Sequence, residues 1–205
     1  MRIDLHCHTI ERSACSIVSE DAIIRRAIRL GLGGVAFTDH DCLPPPGRLE
    51  ELNRKHHPFH VFAGIEISVF TTEKWQDFLV IGLSDPVLES TGWTYAGLMK
   101  YVRKNGGWVA LAHPFRYRDD MPREIIDDPP DALEMYSTNI KPGLAPRIAA
   151  TAKEWGCPVI GASDAHTLED VGYQTIVLSR PVASDAELVV QLKEGAFQVK
   201  GPSLP

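Results

Sequence analysis

The sequence predicts an α/β domain in which seven or eight short strands alternate with helices. That count suits a closed barrel, with a doubly wound open sheet as the alternative. Three observations carry the expectation. Short apolar runs recur between stretches of helical periodicity. Several of them, such as Val35-Ala36-Phe37 and Val159-Ile160, are continuously apolar, as strands buried on both faces are. Many of the candidate strand ends carry His, Asp or Glu.

Taken in chain order, the first strand is expected over residues 2–6. A helix then starts at Ser19, whose hydroxyl can cap it, carries Ile23, Ile24, Ala27, Ile28 and Leu30 on one face, and closes at Gly31. Strands are expected over 34–38, 59–65 and 77–83, with three consecutive prolines marking a loop at 43–47. A second helix covers 95–104 and stops at Asn105-Gly106-Gly107. Strands at 108–112 and 132–136 flank a second loop, 116–130, rich in Asp and Pro. A third helix runs over 144–155, where Pro146 is tolerated only in the first turn. Strands at 158–162 and 173–178 follow. The last helix begins at Ser184, with Glu187 three residues on in a capping-box arrangement, and ends at Gly195.

The 205 residues suit one domain spanning 1–205 with a sizeable core, and the 44% apolar and 23% charged content is that of a soluble globular protein. No apolar run approaches the roughly 20 residues that span a bilayer. The first residues lack the basic-then-apolar pattern of a secretory signal, so a cytoplasmic location is expected. The four cysteines form no C-x-x-C pair and are expected to remain thiols. A net charge of −6 argues against a surface that coats nucleic acid, while leaving room for a local basic pocket that holds one phosphate.

Histidine placement directs the functional reading. His6 and His8 stand at i and i+2 at the end of the first strand, so both project from one side of an extended chain and can converge on one cation. Asp39, His40 and Asp41 close the second strand, Glu66 follows the third, His113 follows 109–112, and Asp164 and His166 follow 159–162. In a barrel of parallel strands these C-terminal ends share one rim, where active sites lie.

The motifs Asp4-Leu5-His6-Cys7-His8-Thr9, Thr38-Asp39-His40-Asp41, Gly64-Ile65-Glu66, Ala112-His113-Pro114 and Ser163-Asp164-Ala165-His166 resemble the polymerase-and-histidinol-phosphatase (PHP) family in order and spacing over nearly the whole chain. The resemblance implies a distorted seven-stranded (β/α) barrel, two or three divalent cations, and hydrolysis of phosphoesters such as histidinol phosphate, nucleotides or nucleic-acid ends. It also implies that His6, His8, Glu66 and Asp164 bind one metal, that Glu66 bridges to a second held by His113, and that His40 and His166 serve a third. Two positions depart from the family pattern. An Asp or His often follows the H-x-H motif, where this chain reads Glu11-Arg12-Ser13-Ala14; and Leu79 stands where a His is common. Asp77, two residues earlier on the same strand face, is a candidate substitute.

The mixed imidazole and carboxylate set suits Zn²⁺, Mn²⁺ or Fe²⁺ better than Ca²⁺. The expected nucleophile is a hydroxide shared between two such ions, and the expected substrate is a small phosphomonoester. Arg116, directly after His113-Pro114-Phe115, is placed to hold phosphate as a fork of donors, with Arg118 and Arg12 as weaker candidates. Asp39 and Asp41 can orient a ligand imidazole, or Asp39 can cap a turn. His113 or His166 could protonate the leaving oxygen. By contrast, His56, His57 and His60 fall at a strand entry, away from the rim, and are expected to face solvent. Cys7 alternates with the two histidines and is assigned to the core. Cys15 and Cys42 could touch metal but are read as small buried side chains, and the four tryptophans as core or helix-packing residues. Two other functions compete. An amidohydrolase would need a bridging lysine that the motifs lack. A metal-binding accessory or regulatory module with little turnover is the alternative from a different class.

Overall fold

The computed structural model describes residues 1–72, 74–117 and 119–200. Among these, one nine-stranded sheet runs in the order β7-β6-β5-β4-β3-β2-β1-β8-β9. Its strands are β1 (Arg2–Cys7), β2 (Gly34–Phe37), β3 (His60–Thr71), β4 (Lys74–Ile81), β5 (Trp108–Leu111), β6 (Ala132–Tyr136), β7 (Val159–Gly161), β8 (Thr175–Leu178) and β9 (Phe197–Lys200). The far edges meet: Gly161 of β7 lies so close to the Val199 side chain of β9 that a Cβ would stand 3.0 Å from its Cγ1. The sheet is therefore a nearly closed α/β barrel.

Three features differ from the expected pattern. First, the strands are not all parallel. β4 is antiparallel to both β3 and β5, and β8 is antiparallel to β1. A continuous apolar run such as Phe78-Leu79-Val80-Ile81 reports burial on both faces, which a reversed strand inside a barrel shares with a parallel one. Second, β3 runs on to Thr71, past the expected stop at residue 65, because Ile67 and Val69 continue the buried alternation and pair with β4 in a long hairpin. Third, β9 was not expected; with Gln198 and Lys200 exposed, it has little apolar signal of its own.

The helices are α1 (Glu20–Arg29), α2 (Arg48–His56), α3 (Tyr95–Lys104), α4 (Arg123–Asp127), α5 (Ala145–Trp155) and α6 (Asp185–Lys193). Ser19, Thr94 and Ser184 cap α1, α3 and α6 by accepting the N–H groups of Ala22, Gly97 and Glu187. Helix α2 buries Leu52 alone because its sequence is mostly charged and polar, and the five-residue α4 lies within the expected 116–130 loop. Among the described residues, no helix is long and apolar enough to cross a membrane.

Inside the barrel, Ile3, Leu5, Ala36, Phe62, Leu79, Ala110, Ile160 and Ile176 form one cluster. Helix α6 covers the end opposite the rim: Asp185 accepts the Ala63 N–H at 2.8 Å, and Val189 packs over Gly82, where a Cβ would collide with it. At the other end the barrel carries the buried polar side chains His6, Glu66 and Asp164. His56 ends α2 and His60 starts β3, both away from that rim, as expected. Only His57 is exposed, however; His56 tucks its Nε2 3.3 Å from Asp21.

Candidate metal centre

The rim gathers side chains from five strand ends. His6 is the inward-facing penultimate residue of β1, and His8 follows one residue beyond the strand, so the two imidazoles share a side while Cys7 points into the opposite cluster under α1. Glu66 sits within β3 rather than after it. It reaches the rim because neighbouring β2 stops at Phe37, and His40 bridges to it beyond that stop. His113 and Asp164 follow β5 and β7 with φ of 28° and 55°, left-handed conformations that non-glycine residues adopt only when their surroundings enforce them. For Asp164 the enforcement is visible: Asp4 accepts the N–H groups of Ser163 at 2.9 Å and Gly172 at 3.0 Å, pinning the loop on either side.

The polar atoms converge. His6 Nε2 lies 3.0 Å from His8 Nε2, 3.4 Å from Glu66 Oε2 and 3.2 Å from Asp164 Oδ1. His8 Nε2 lies 3.2 Å from the same Glu66 oxygen and 3.3 Å from the same Asp164 oxygen. Donors each about 2.0–2.1 Å from one tetrahedral ion stand roughly 3.3–3.4 Å apart, so the spacing fits a single cation. Glu66 Oε2 is also fully buried with no hydrogen-bond partner, which would be costly unless a cation satisfies it. The residues present thus fit a divalent metal.

Two further groups adjoin the first. Glu66 Oε1 lies 3.0 Å from His113 Nε2, which is 3.9 Å from Asp77 Oδ2, and these three residues form a second donor group. His8, Cys15, His40 and His166 form another, with His40 Nδ1 3.1 Å from Glu66 Oε2. All seven residues singled out as metal ligands therefore meet at one rim, and Asp77 joins them. Leu79 is fully buried among the apolar residues of the barrel, directly opposite Glu66 across the hairpin.

The electrostatics favour a cation. Burial opposes ionisation of Glu66, but the charge of His6 and the hydrogen bond from His113 outweigh it and hold the carboxyl well below its ordinary range. Asp164 is lowered in the same way, against burial, by His6 and His8. Burial likewise works against a charged His6, yet Asp164, Glu66 and Glu134 raise its pKa well above that of a free imidazole.

Glu134 was not anticipated. It is fully buried on β6, its Oε1 2.9 Å from His6 Nδ1, while Oε2 accepts the His113 N–H at 2.8 Å and the Ser137 hydroxyl at 3.1 Å. A carboxylate on Nδ1 fixes the tautomer that presents Nε2 to a metal. The signal in the sequence was a lone acidic residue inside the apolar strand Ala132-Leu133-Glu134. Glu134→Gln is expected to weaken metal binding by about 10–100-fold, read by competition with a chromophoric chelator. Unchanged affinity would deny it that role.

Asp39 is buried and receives the Thr9 N–H at 2.6 Å, the Ser13 hydroxyl at 2.7 Å and Arg12 Nε at 2.7 Å. Ser13 Oγ is in turn 3.3 Å from His8 Nδ1, so Asp39 reaches the imidazole through the serine. Arg12 is committed to Asp39 and Glu20, with its side chain 6% exposed, and is not free for phosphate. Asp41 instead takes the Ser68 N–H at 3.3 Å. Arg116 is half-buried, its guanidinium 5.2 Å from the Tyr117 ring, and Arg118 lies outside the described residues.

Two residue classes differ from expectation. Trp75 is exposed, edge-on to exposed Phe70, and with His40, Ser68, Lys74, Asp77 and Tyr117 lines a cavity of about 520 Å³ beside the donor groups. The hairpin carries it out past the core, where its apolar character did not reveal its exposure. Cys15 is likewise exposed at the rim, and Cys42 is half-buried with its Sγ turned to the Leu43 carbonyl.

Comparison with known proteins agrees with this geometry. The family model described as PHP-associated matches residues 146–197, the segment that carries Asp164 and His166. The 5'-3' exoribonuclease Rnm of Escherichia coli is 32% identical over 83 residues, 40% of this chain; the match spans 27% of that relative's length. A two-domain protein from Bacteroides vulgatus containing a predicted PHP-like metal-dependent phosphoesterase superposes with a TM-score of 0.71 at 14% identity, covering 100% of this chain and 65% of the other. An amidohydrolase from Chromobacterium violaceum with bound sulfate and no metal superposes with a TM-score of 0.67 at 18% identity, covering 96% and 97% of the two chains. These matches agree with the motif order and the barrel: the PHP-associated model covers about a quarter of the chain, and the fold is shared with that of a PHP-like protein.

Proposed function

We propose that the chain, as one catalytic domain over residues 1–205, hydrolyses small phosphate esters at this rim, phosphomonoesters in preference to diesters. One observation carries the reading. The two oxygens of Glu66 face different donor groups, Oε2 toward His6, His8 and His40 and Oε1 toward His113. Residues so arranged would hold neighbouring cations rather than one. His6, His8, Glu66 and Asp164 would hold the first, Glu66, Asp77 and His113 the second, and His40 and His166 belong to a third position. Zn²⁺, Mn²⁺ or Fe²⁺ bound there supplies the Lewis acidity that neutralises phosphoryl charge and acidifies water.

The chain's own residues do the remaining work. Arg116 grips phosphate oxygens as a planar fork, and Lys74 adds a second cationic donor at the cavity wall. Tyr117 stays protonated at neutral pH, its hydroxyl pushed up to about 12 by burial and by the Asp77 charge, and so serves as a hydrogen-bond donor. Trp75 and Phe70 offer rings against which a planar leaving group, such as a nucleobase or an imidazole, can pack. Asp39 positions His8 through Ser13.

That aromatic wall and the Rnm match support a second reading, in which the leaving group is the rest of a short RNA. The net charge of −6 weighs against a long polymer. An amidohydrolase reading has the Chromobacterium fold in its favour, but the strand-end motifs carry no bridging lysine.

The test is metal-free protein reloaded with Mn²⁺ or Zn²⁺ and presented with phosphomonoesters, diesters and a short 5'-phosphorylated RNA. Phosphate release from monoesters, dependent on metal and lost in His8→Ala and His113→Ala, is the expected result. Metal uptake with no release from any substrate would favour an accessory module instead.

A further inference from the structure

We propose that Cys15 supplies a thiolate ligand to the third cation position, giving this centre a soft, sulfur-containing site beside its oxygen-rich second site. The proposal rests on the metal-centre reading above and deepens it.

Cys15, His8, His40 and His166 offer ligand atoms that all lie within 4.8 Å of one another. His8 has one imidazole nitrogen engaged with Ser13 Oγ, and its Nε2 faces the His6, Glu66 and Asp164 group. A single lone pair serves a single cation, so His8 belongs to that group. Cys15, His40 and His166 remain. His166 Nδ1 donates to the Asp164 carbonyl at 2.9 Å, the backbone hydrogen bond that leaves the opposite nitrogen of a metal-binding histidine free as a ligand. Three protein ligands with an open position are the usual make-up of a catalytic zinc site. The openness is visible here: the His40 and His166 side chains are 40% and 25% exposed, and Cys15 is exposed beside them.

The local sequence explains how the thiol arrives. Ser13 is buried and turned inward, accepting the His40 N–H at 3.2 Å and donating to Asp39. With Ser13 used as a brace, the next turn of the loop carries Cys15 outward over the imidazoles, and Ser16 fixes it from the far side by donating to the His8 carbonyl at 2.9 Å. A carboxylate after the H-x-H motif would have made a hard ligand; a thiolate selects Zn²⁺ over Mn²⁺. On binding, the S–H bond breaks, the sulfur–metal bond forms and the proton passes to solvent. The second site, with Glu66 and Asp77 for one imidazole, tolerates harder ions.

Cobalt is the probe. Metal-free protein titrated with Co²⁺ is expected to develop the near-ultraviolet thiolate-to-cobalt charge-transfer band together with visible ligand-field bands. Cys15→Ser should lose the charge-transfer band and keep visible absorption from the remaining ions, whereas Cys42→Ser should keep both. In the unaltered protein, Zn²⁺ should also protect Cys15 from alkylation by iodoacetamide, read by peptide mass spectrometry. Bound cobalt with no charge-transfer band, a band that survives Cys15→Ser, or Zn²⁺ that leaves Cys15 alkylation unchanged would overturn the assignment while leaving the metal centre standing. No cobalt uptake at all would overturn both.

Discussion

Glu66→Gln should lower metal-dependent phosphate release by at least about 10³-fold, the largest loss expected from a change of a single atom. Metal ions contribute several kcal/mol to stabilising the charge of a phosphoryl transition state, and each 1.4 kcal/mol is about a tenfold change in rate. The amide removes a negative charge that both the first and second donor groups share, and places an N–H₂ where one of them needs an acceptor. The residue is fully buried, so circular dichroism and thermal melting should accompany the assay to show that the fold is retained. Glu66→Asp should not rescue, since the shorter side chain cannot reach both His113 and the H-x-H pair. Activity within tenfold of the unaltered protein would mean that Glu66 does not link two cations.

Arg12→Ala is expected to destabilise the fold by about 3–5 kcal/mol, because it strips the shared partner from two buried carboxylates. Arg12 lies 2.5 Å from Glu20 and 2.7 Å from Asp39, and the side chains of all three are almost wholly excluded from water. Arg48 still pairs with Glu20, and Thr9 and Ser13 still donate to Asp39, but neither of those hydroxyl donors carries charge. For a chain of this size the loss corresponds to a thermal midpoint lower by on the order of 10 °C. Arg12→Lys should recover only part, since a single ammonium cannot serve both carboxylates as the guanidinium fork does. A midpoint within about 2 °C of the unaltered protein would show that the pair is solvent-relieved after all.

Much of this architecture is legible in the sequence, and the exceptions have definite physical reasons. Helices α1, α3 and α6 announce themselves because a cap residue precedes an apolar stripe, and both signals are local. The rim residues are legible because each motif closes an apolar run, so strand geometry predicts that His6 and His8 project together, whereas the left-handed backbone that aims His113 and Asp164 is not encoded in it. Strand direction is not legible. β4 pairs antiparallel with β3, yet Phe78-Leu79-Val80-Ile81 would be equally buried in either sense. That reversal also explains Asp77: on an antiparallel strand the residues nearest the rim come first in the chain, so Asp77 stands at the donor groups and Leu79 among the apolar residues of the barrel. Glu134 escaped because its role is to a partner 128 residues away, which its one local signal, an acid inside an apolar strand, does not name. The exposure of Trp75 and of Cys15 follows from the hairpin and loop that carry them, which residue type alone does not encode.

The most direct test of the central claim, that the rim holds a multinuclear metal centre, is anomalous X-ray diffraction from crystals loaded with Zn²⁺ and, separately, Mn²⁺. Strong anomalous peaks should appear between His6, His8, Glu66 and Asp164 and between Glu66, Asp77 and His113, within coordination distance of both Glu66 oxygens. A single peak touching only one Glu66 oxygen, or none at the rim in protein that retains its fold, would contradict the account.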